Sequence, residues 1–354
     1  MTRSARDPQL AWPPVSRSRL RRPPGAIALG LALLVGVVGS AGVLVAARDR
    51  SDDVERVPNV AEVLEEPSND APAENFLLVG SDTRENIDPD DPNAAVYGDS
   101  GEVVGRRSDT IMVLRRERNG GALLLSLPRD LYLPIAGRGG EMDRINSAYN
   151  DGAEVLAQTI TDGLGIPINH YVEVDFVGFQ RLVDAIGGVE VCVDYATQDL
   201  NSGLHLNPGC QTLDGAQGLA YARSRHYEEF RDGDWEEDPR ADLGRIERQQ
   251  HFIRLAVAKL LQQVQADPFS LNALLEAATE AVLIDESTDP LQAAGALKAA
   301  AEEGGLQTYV LPVEGVEIDD KSVVELADGA EAILDIFRGV APPPAATTAT
   351  TVPG

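Results

Sequence analysis

Positive charge is scarce in this 354-residue chain: 30 Lys and Arg stand against 57 Asp and Glu, and the formal net charge is −27 at pH 7. So acidic a chain repels nucleic acid and acidic membrane surfaces, which excludes a general polyanion-binding role through a basic face. Nucleic acid is therefore not an expected partner. Lysine is rarer still, at Lys259, Lys298 and Lys321 only, so any anionic ligand has to be held by a local cluster of arginines. Histidine and cysteine are also sparse. The four histidines are scattered and the two cysteines, Cys192 and Cys210, lie close together, which leaves no constellation for a zinc site or a Cys-His nucleophile. Carboxylates and arginines have to carry the chemistry. Apolar residues are not lacking: at 43% they suffice for a core, and a disordered chain is excluded.

One uncharged run stands out. Residues 26–47 read AIALGLALLVGVVGSAGVLVAA, about the 20 residues needed to cross a hydrocarbon core. Arg17, Arg19, Arg21 and Arg22 precede it, whereas the segment after it soon becomes acidic. The positive-inside rule then predicts a cytoplasmic basic tail (1–25), a transmembrane signal anchor (26–47) and an extracytoplasmic remainder. A cleaved signal peptide usually has a shorter apolar core, of ~7 to 15 residues. The expected localisation is the cell membrane, single-pass. Outside the cytosol a disulfide is permitted, and Cys192 and Cys210, separated by the polar stretch DYATQDLNSGLHLNPG, are expected to pair. By chain entropy such a loop is worth roughly 3 kcal/mol.

Residues 48–73 read as an acidic, Pro-containing linker, and the Pro/Thr/Ala-rich 340–354 as a disordered tail. Between them, 74–339 has no comparable break and reads as one domain. The runs NFLLVG, DTIMVLRR, ALLLSLP, HYVEVD, VEVCVD and LQTYVLP predict strands. Helical spacing appears in DGAEVLAQTITDGL, DFVGFQRLVDAIGG and LGRIERQQHFIRLAVAKLLQQV, and again over 270–282 and 291–303. This alternation predicts an α/β class, a three-layer α/β/α domain with a mixed central sheet, preceded by one transmembrane helix.

Five segments offer chemistry. LLVGSDTR presents Asp82 and Arg84 at a strand's carboxyl end, and RRSDTIMVL places Arg107 and Asp109 at the start of the next strand. If these strands are neighbours, Asp82 and Asp109 can share one cation; two carboxylates with open water positions suit Mg²⁺. Aspartates that merely close turns would look the same. LPRD supplies Arg129 and Asp130, and DRINSAYNDG supplies Arg144, Asn146 and Tyr149 at the entrance to a helix, where backbone donors favour an anion or Asn acts as a cap. In AYARSRHY, an extended 222–226 would point Arg223 and Arg225 to one side, as a pyrophosphate clamp or as an exposed salt-bridging edge. In DLGRIERQQ, Asp242, Arg245 and Gln249 line one helical face, with Arg248 on a neighbouring, solvated one.

The order GSDTR, SDTIMVL, LPRD, RINSAYNDG, YVEVDFVGFQRLVDAIGGVEV, LDGAQGLAYARSR, DLGRIERQQ resembles the LytR-CpsA-Psr family along residues 75 to about 260. The resemblance implies a groove for a polyprenyl chain, with its pyrophosphate head held by arginines and Mg²⁺, or Mn²⁺ in its place. Matched residue by residue, Asp82 and Asp109 take the metal places. Arg129, Arg223, Arg225 and Arg245 take the pyrophosphate places, with Gln249 and Asp242 beside them on the helix. Arg144 stands where relatives often have Lys. The implied reaction moves a glycopolymer from polyprenyl pyrophosphate to a peptidoglycan hydroxyl, the muramic acid 6-hydroxyl, so membrane lipid and peptidoglycan are the expected partners. Phe176, Phe179, Leu182, Val183 and Ile186 are expected to line the lipid channel, or simply to form a core helix. A hydrolase of polyprenyl pyrophosphates and a non-catalytic carrier-binding protein of the cell envelope fit the same residues.

Overall fold

In the computed structural model the described residues are 54–67, 73–82, 108–118, 121–267, 274, 277–288 and 306–343. Seven strands form the central sheet: β1 (Glu55–Val57), β2 (Ala73–Ser81), β3 (Ser108–Glu117), β4 (Ala122–Leu127), β5 (His170–Val174), β6 (Leu283–Asp285) and β7 (Leu306–Val310). Their spatial order is β1-β6-β5-β2-β3-β4-β7. β2 runs antiparallel to β3 and parallel to β5, and β4 antiparallel to β3 and parallel to β7, so the sheet is mixed as expected. β1 lies within the segment read as linker, yet it pairs parallel with β6 at the sheet edge.

Among the described residues the sheet is covered by the helices α1 (Ile145–Asp151), α2 (Ala153–Leu164), α3 (Phe176–Ala185), α4 (Gly215–Arg223), α5 (Ala241–Ala266) and α6 (Ala330–Phe337). Successive strand side chains point to opposite faces, so β2 sends Phe76 and Leu78 to one core and Leu77 and Val79 to the other. Both faces are buried, which is why these strands read as continuous apolar runs rather than alternations. Leu156 and Ile160 of α2 and Leu334 and Phe337 of α6 close one face; Val183 of α3, Tyr221 of α4 and Phe252 of α5 pack on the other. That is the α/β/α sandwich.

VEVCVD forms a strand outside the central sheet. Val189–Val193 pairs antiparallel with Gly209–Leu213, with Cys192 opposite Cys210 and their sulfurs bonded. Its burial alternates residue by residue, the signature of a strand with one wet face. The loop between the two strands carries the short strands Thr197–Asp199 and Leu204–Leu206, which join Glu228–Arg231 and Asp234–Glu237 in a small second sheet.

Among the described residues no helix is long and apolar enough to cross a membrane. Even α5, at 26 residues, carries Asp242, Arg245, Glu247, Arg248, Arg254 and Lys259, far too many charges for a lipid-facing span. Among the described residues the fold is accordingly the three-layer sandwich, with no transmembrane helix; the span expected over 26–47 lies outside them. The single-pass localisation and signal anchor, which rest on that span, find no support among the described residues. Residues 1–25 and 26–47, the segment 291–303 and the tail beyond 343 lie outside the described residues, as do 270–273 and 275–276; of the helix expected over 270–282, residues 274 and 277–279 are described and helical.

Candidate functional site

Between the sheet and helices α3, α4 and α5 lies a cavity of about 270 Å³. All five apolar residues singled out above, Phe176, Phe179, Leu182 and Val183 of α3 and its C-cap Ile186, line it. The wall contributed by α5 changes character along the helix, from Val257 and Ile253 to Gln249 and Arg245. At 1.5 Å per residue that gradient extends about 18 Å. Ser81, Thr110 and Arg223 join the polar end. This end lies at the carboxyl edges of β2 and β5, where open α/β sheets characteristically bind ligands.

Close helix packing shapes the cavity wall. A Cβ on Gly218 of α4 would stand 2.7 Å from Phe252 Cζ of α5, so only glycine lets the two helices meet there. α4 itself starts with a capping box: the Asp214 carboxylate accepts from the Gln217 N–H, and the Gln217 amide oxygen from the Asp214 N–H. Such a cap stabilises a helix start by about 1 kcal/mol.

The extended reading of 222–226 is therefore wrong. Arg223 closes α4, Ser224 is its C-cap, and Arg225 follows in the turn. The Arg223 guanidinium sits 4.3 Å from the Phe176 ring centroid, a cation-π contact at the cavity's polar end.

Asp242, in the first turn of α5, gathers three further arginines. Its Oδ1 lies 2.9 Å from Arg245, 3.9 Å from Arg225 and 4.0 Å from Arg129. Arg245 is only 2% exposed. Gln249, one turn on, donates to Thr110 Oγ1 and to the Ala222 carbonyl, which ties α5 to β3 and to the end of α4. The face expected to carry Asp242, Arg245 and Gln249 is thus the face turned to the cavity. Arg248, expected in solvent, is instead 7% exposed: it donates to the Ser224 carbonyl and lies 4.4 Å from the Tyr227 ring centroid.

Asp130 lies between Arg129 and Arg144, 3.5 Å from each, and Arg144 also donates to the Ser322 carbonyl. Arg144, not Asn146, occupies the N-cap of α1, without a side-chain cap bond. The Asn146 N–H donates to the Arg129 carbonyl, so its main chain steadies the segment that bears Arg129.

Asp82 follows Ser81 at the end of β2 and is half-buried. β2 and β3 are neighbours as the shared-cation idea requires. Gly80 pairs with Thr110 and Ser81 with Ser108, and the register shift leaves Asp109 without a partner across the ladder. Bulges of this kind re-aim side chains next to active sites. Among the described residues no group of three His, Cys, Asp or Glu forms a metal cluster. By their backbone positions Asp82 and Asp109 stand at adjacent strand ends. Arg84, Arg107 and the side chain of Asp109 lie outside the described residues.

The family description LytR_cpsA_psr family matches residues 42–333. The chain belongs to the LytR_cpsA_psr family. Among its LytR_cpsA_psr relatives, the Corynebacterium glutamicum protein named "Probable cell wall biosynthesis protein LcpB" is 33% identical over 268 residues, covering 75% of this chain and 61% of that one. The polyisoprenyl-teichoic acid–peptidoglycan teichoic acid transferase TagU of Enterococcus faecalis is 37% identical over 198 residues, 55% of this chain and 60% of TagU. The chain therefore spans about three-fifths of the length of either relative. The solved LytR-Csp2A-Psr enzyme from Actinomyces oris superposes with a TM-score of 0.61 at 27% identity, over 80% of this chain and 95% of that one.

Sequence reading missed Asp199, which organises the arginine turn. The buried carboxylate accepts from the backbone N–H groups of Asn201, Ser202, Arg225 and His226 and from the Ser224 hydroxyl. Burial pushes its pKa up, but these hydrogen bonds, led by that of Ser224, outweigh burial and hold it below the usual carboxylate value. An Asp two residues before Asn-Ser announces a local turn. Its reach to Ser224 is invisible in the local sequence.

Proposed function

We propose that this LytR_cpsA_psr protein is a phosphotransferase that moves a glycopolymer from a polyprenyl-pyrophosphate carrier to a peptidoglycan hydroxyl, the muramic acid 6-hydroxyl. The observation that carries the reading is the gradient of one cavity from an aliphatic interior to Arg223, Arg245 and Gln249 at its mouth. A long apolar tail with an anionic head has that same polarity. Burying the tail contributes about 0.8 kcal/mol per CH₂, and each charge-assisted hydrogen bond to the head about 1.5 to 3 kcal/mol. The name of the relative TagU, a transferase to peptidoglycan, supports the same reaction class, and that of LcpB supports a role in cell wall biosynthesis.

In the proposed step the acceptor oxygen bonds to the glycan-bearing phosphorus and the bridging P–O bond breaks. The electron pair leaves with polyprenyl phosphate. The hydroxyl proton passes to a carboxylate, Asp82 or Asp109, the chain neighbours of the lining residues Ser81 and Thr110. Arg129, Arg223, Arg225 and Arg245 hold the pyrophosphate and stabilise charge developing on the leaving phosphate. Asp130, Arg144, Asn146 and Asp242 support them, as Arg84 and Arg107 do in the proposal. Asp82 and Asp109 would hold Mg²⁺, or Mn²⁺, which when bound neutralises pyrophosphate charge. The test is transfer by the purified chain from lipid-linked donors to a peptidoglycan acceptor. Acceptor-dependent product supports the ligase; acceptor-independent release of phosphate would make it a hydrolase. Asp82→Asn and Asp109→Asn should each weaken Mg²⁺ binding in calorimetry together with turnover, and a double variant with normal metal binding would remove the shared cation.

A further inference from the structure

A second cavity, of about 280 Å³, adjoins the first at Arg223, which lines both. Its other lining residues are Asp199, Asn201, Ser202, Arg225 and His226. One wall is the loop after Thr197–Asp199; the other is the turn after α4. The Asp199 carboxylate bonds to both walls, so they are fixed relative to each other. Ser202 is 4% exposed, and its hydroxyl has no hydrogen-bond partner among the described residues. Buried hydroxyls are nearly always satisfied, and this residue forms part of the cavity wall. Beside it stand the Asn201 amide, two guanidiniums and the His226 imidazole, whose Nδ1 lies 2.7 Å from Glu237 Oε1. Hydroxyl and amide groups recognise sugar hydroxyls, and planar guanidinium forks recognise a carboxylate.

We propose that this polar cavity receives the acceptor: a hydroxyl-rich glycan that carries a carboxylate. The inference rests on the ligase reading above and adds the place where the second substrate binds. In phosphoryl transfer the attacking and leaving oxygens lie roughly in line across the phosphorus. With the lipid in the apolar cavity, the leaving phosphate departs on that side of Arg223. The nucleophile then enters from the other side, where this cavity lies. The transferred glycan occupies an equatorial position between the two and has no need of either.

Asn201 is exposed, so Asn201→Trp obstructs the cavity without entering the core, and Ser202→Ala removes the unpartnered hydroxyl. Binding of a soluble peptidoglycan disaccharide with its lactyl carboxylate, and separately of a polyprenyl pyrophosphate, is measured by calorimetry on the full chain. Asn201→Trp should weaken the disaccharide by about tenfold or more and Ser202→Ala by roughly threefold to tenfold, both leaving polyprenyl pyrophosphate affinity unchanged. In the transfer assay the same variants should raise the acceptor KM and leave the donor KM alone. Equal disaccharide affinity in wild type and Asn201→Trp overturns the inference whatever the turnover. A rise in the donor KM alone also overturns it, because the cavity then serves the transferred glycan. Should the wild type bind both ligands yet transfer nothing, the ligase reading falls while the subsite stands.

Discussion

The two faces of the central sheet are built from the same strands and end in opposite states. On the face covered by α1, α2 and α6 the apolar side chains interlock, and the buried Glu173 is hydrogen-bonded by Tyr149 Oη at 2.5 Å and Tyr171 Oη at 2.8 Å. On the face covered by α3, α4 and α5 the helices stand off enough to leave a cavity of about 270 Å³ edged by arginines. Satisfied, close-packed interiors supply stability. An apolar cavity forfeits dispersion contacts, so the open face gives up stability for a site that a ligand can fill. The division predicts which substitutions disturb folding and which disturb transfer.

The largest expected effect falls on the closed face. Leu156, fully buried in α2, should cost about 2 to 5 kcal/mol as Leu156→Ala, read by urea denaturation. Leu182→Ala, which only enlarges the existing cavity, should cost under about 1.5 kcal/mol on the same measurement. Equal losses would abolish the distinction between the faces. Next comes Arg223→Ala, expected to lower transfer by roughly tenfold to a hundredfold with little change in the urea midpoint, and Arg223→Lys less so because it keeps the charge without the planar fork. Transfer unaffected by Arg223→Ala would leave the arginine as mere surface packing.

Asp199→Asn sits between the two classes. It keeps the size of the side chain but removes the charge that five donors share, so about 1 to 3 kcal/mol of stability should be lost along with the placement of Arg225. The depressed carboxyl gives this contribution a definite sign. It is fully present above the unfolded value of about 3.9 and is lost as pH falls through the lower folded value. Acid titration of stability in wild type and Asp199→Asn should therefore diverge above about pH 4 and converge below it; parallel curves would deny the carboxylate its role. The smallest effect on folding is expected for Ala256→Leu, which projects into the open cavity. It should shift stability by under about 1 kcal/mol while weakening polyprenyl pyrophosphate several-fold.

Legibility in the sequence follows the same division. β2 to β4 were readable because strands buried on both faces become near-continuous apolar runs, β5 and β7 because of their β-branched and aromatic residues, and α2, α3 and α5 because their apolar stripes recur at helical spacing. VEVCVD looked alike but alternates, and the alternation assigns it to a hairpin rather than the central sheet. α4 escaped notice because GAQGLAYAR is short and rich in small residues; the Asp214-x-x-Gln217 box was the available signal. The site was legible as a set of residue types but not as a geometry. Asp242, Arg245 and Gln249 share a helix, so periodicity unites them. Arg129 and Arg225 reach Asp242 only through the tertiary fold, and Arg248 is buried by a tyrosine and a carbonyl far from it in sequence.

Asp242 also bears on the timing of the catalytic cycle. A single carboxylate oxygen within 4.0 Å of Arg129, Arg225 and Arg245 means that the cluster already has a resident anion. On the proposed reading an arriving pyrophosphate exchanges with that anion instead of meeting unscreened charge. Affinity is then the difference between two large attractions and stays moderate. The same exchange runs backwards once the chemistry is done, with the carboxylate reclaiming its guanidiniums as the lipid phosphate departs. On that reading a cluster of arginines with no internal competitor would grip its product, whereas these three share a carboxylate that lets it go.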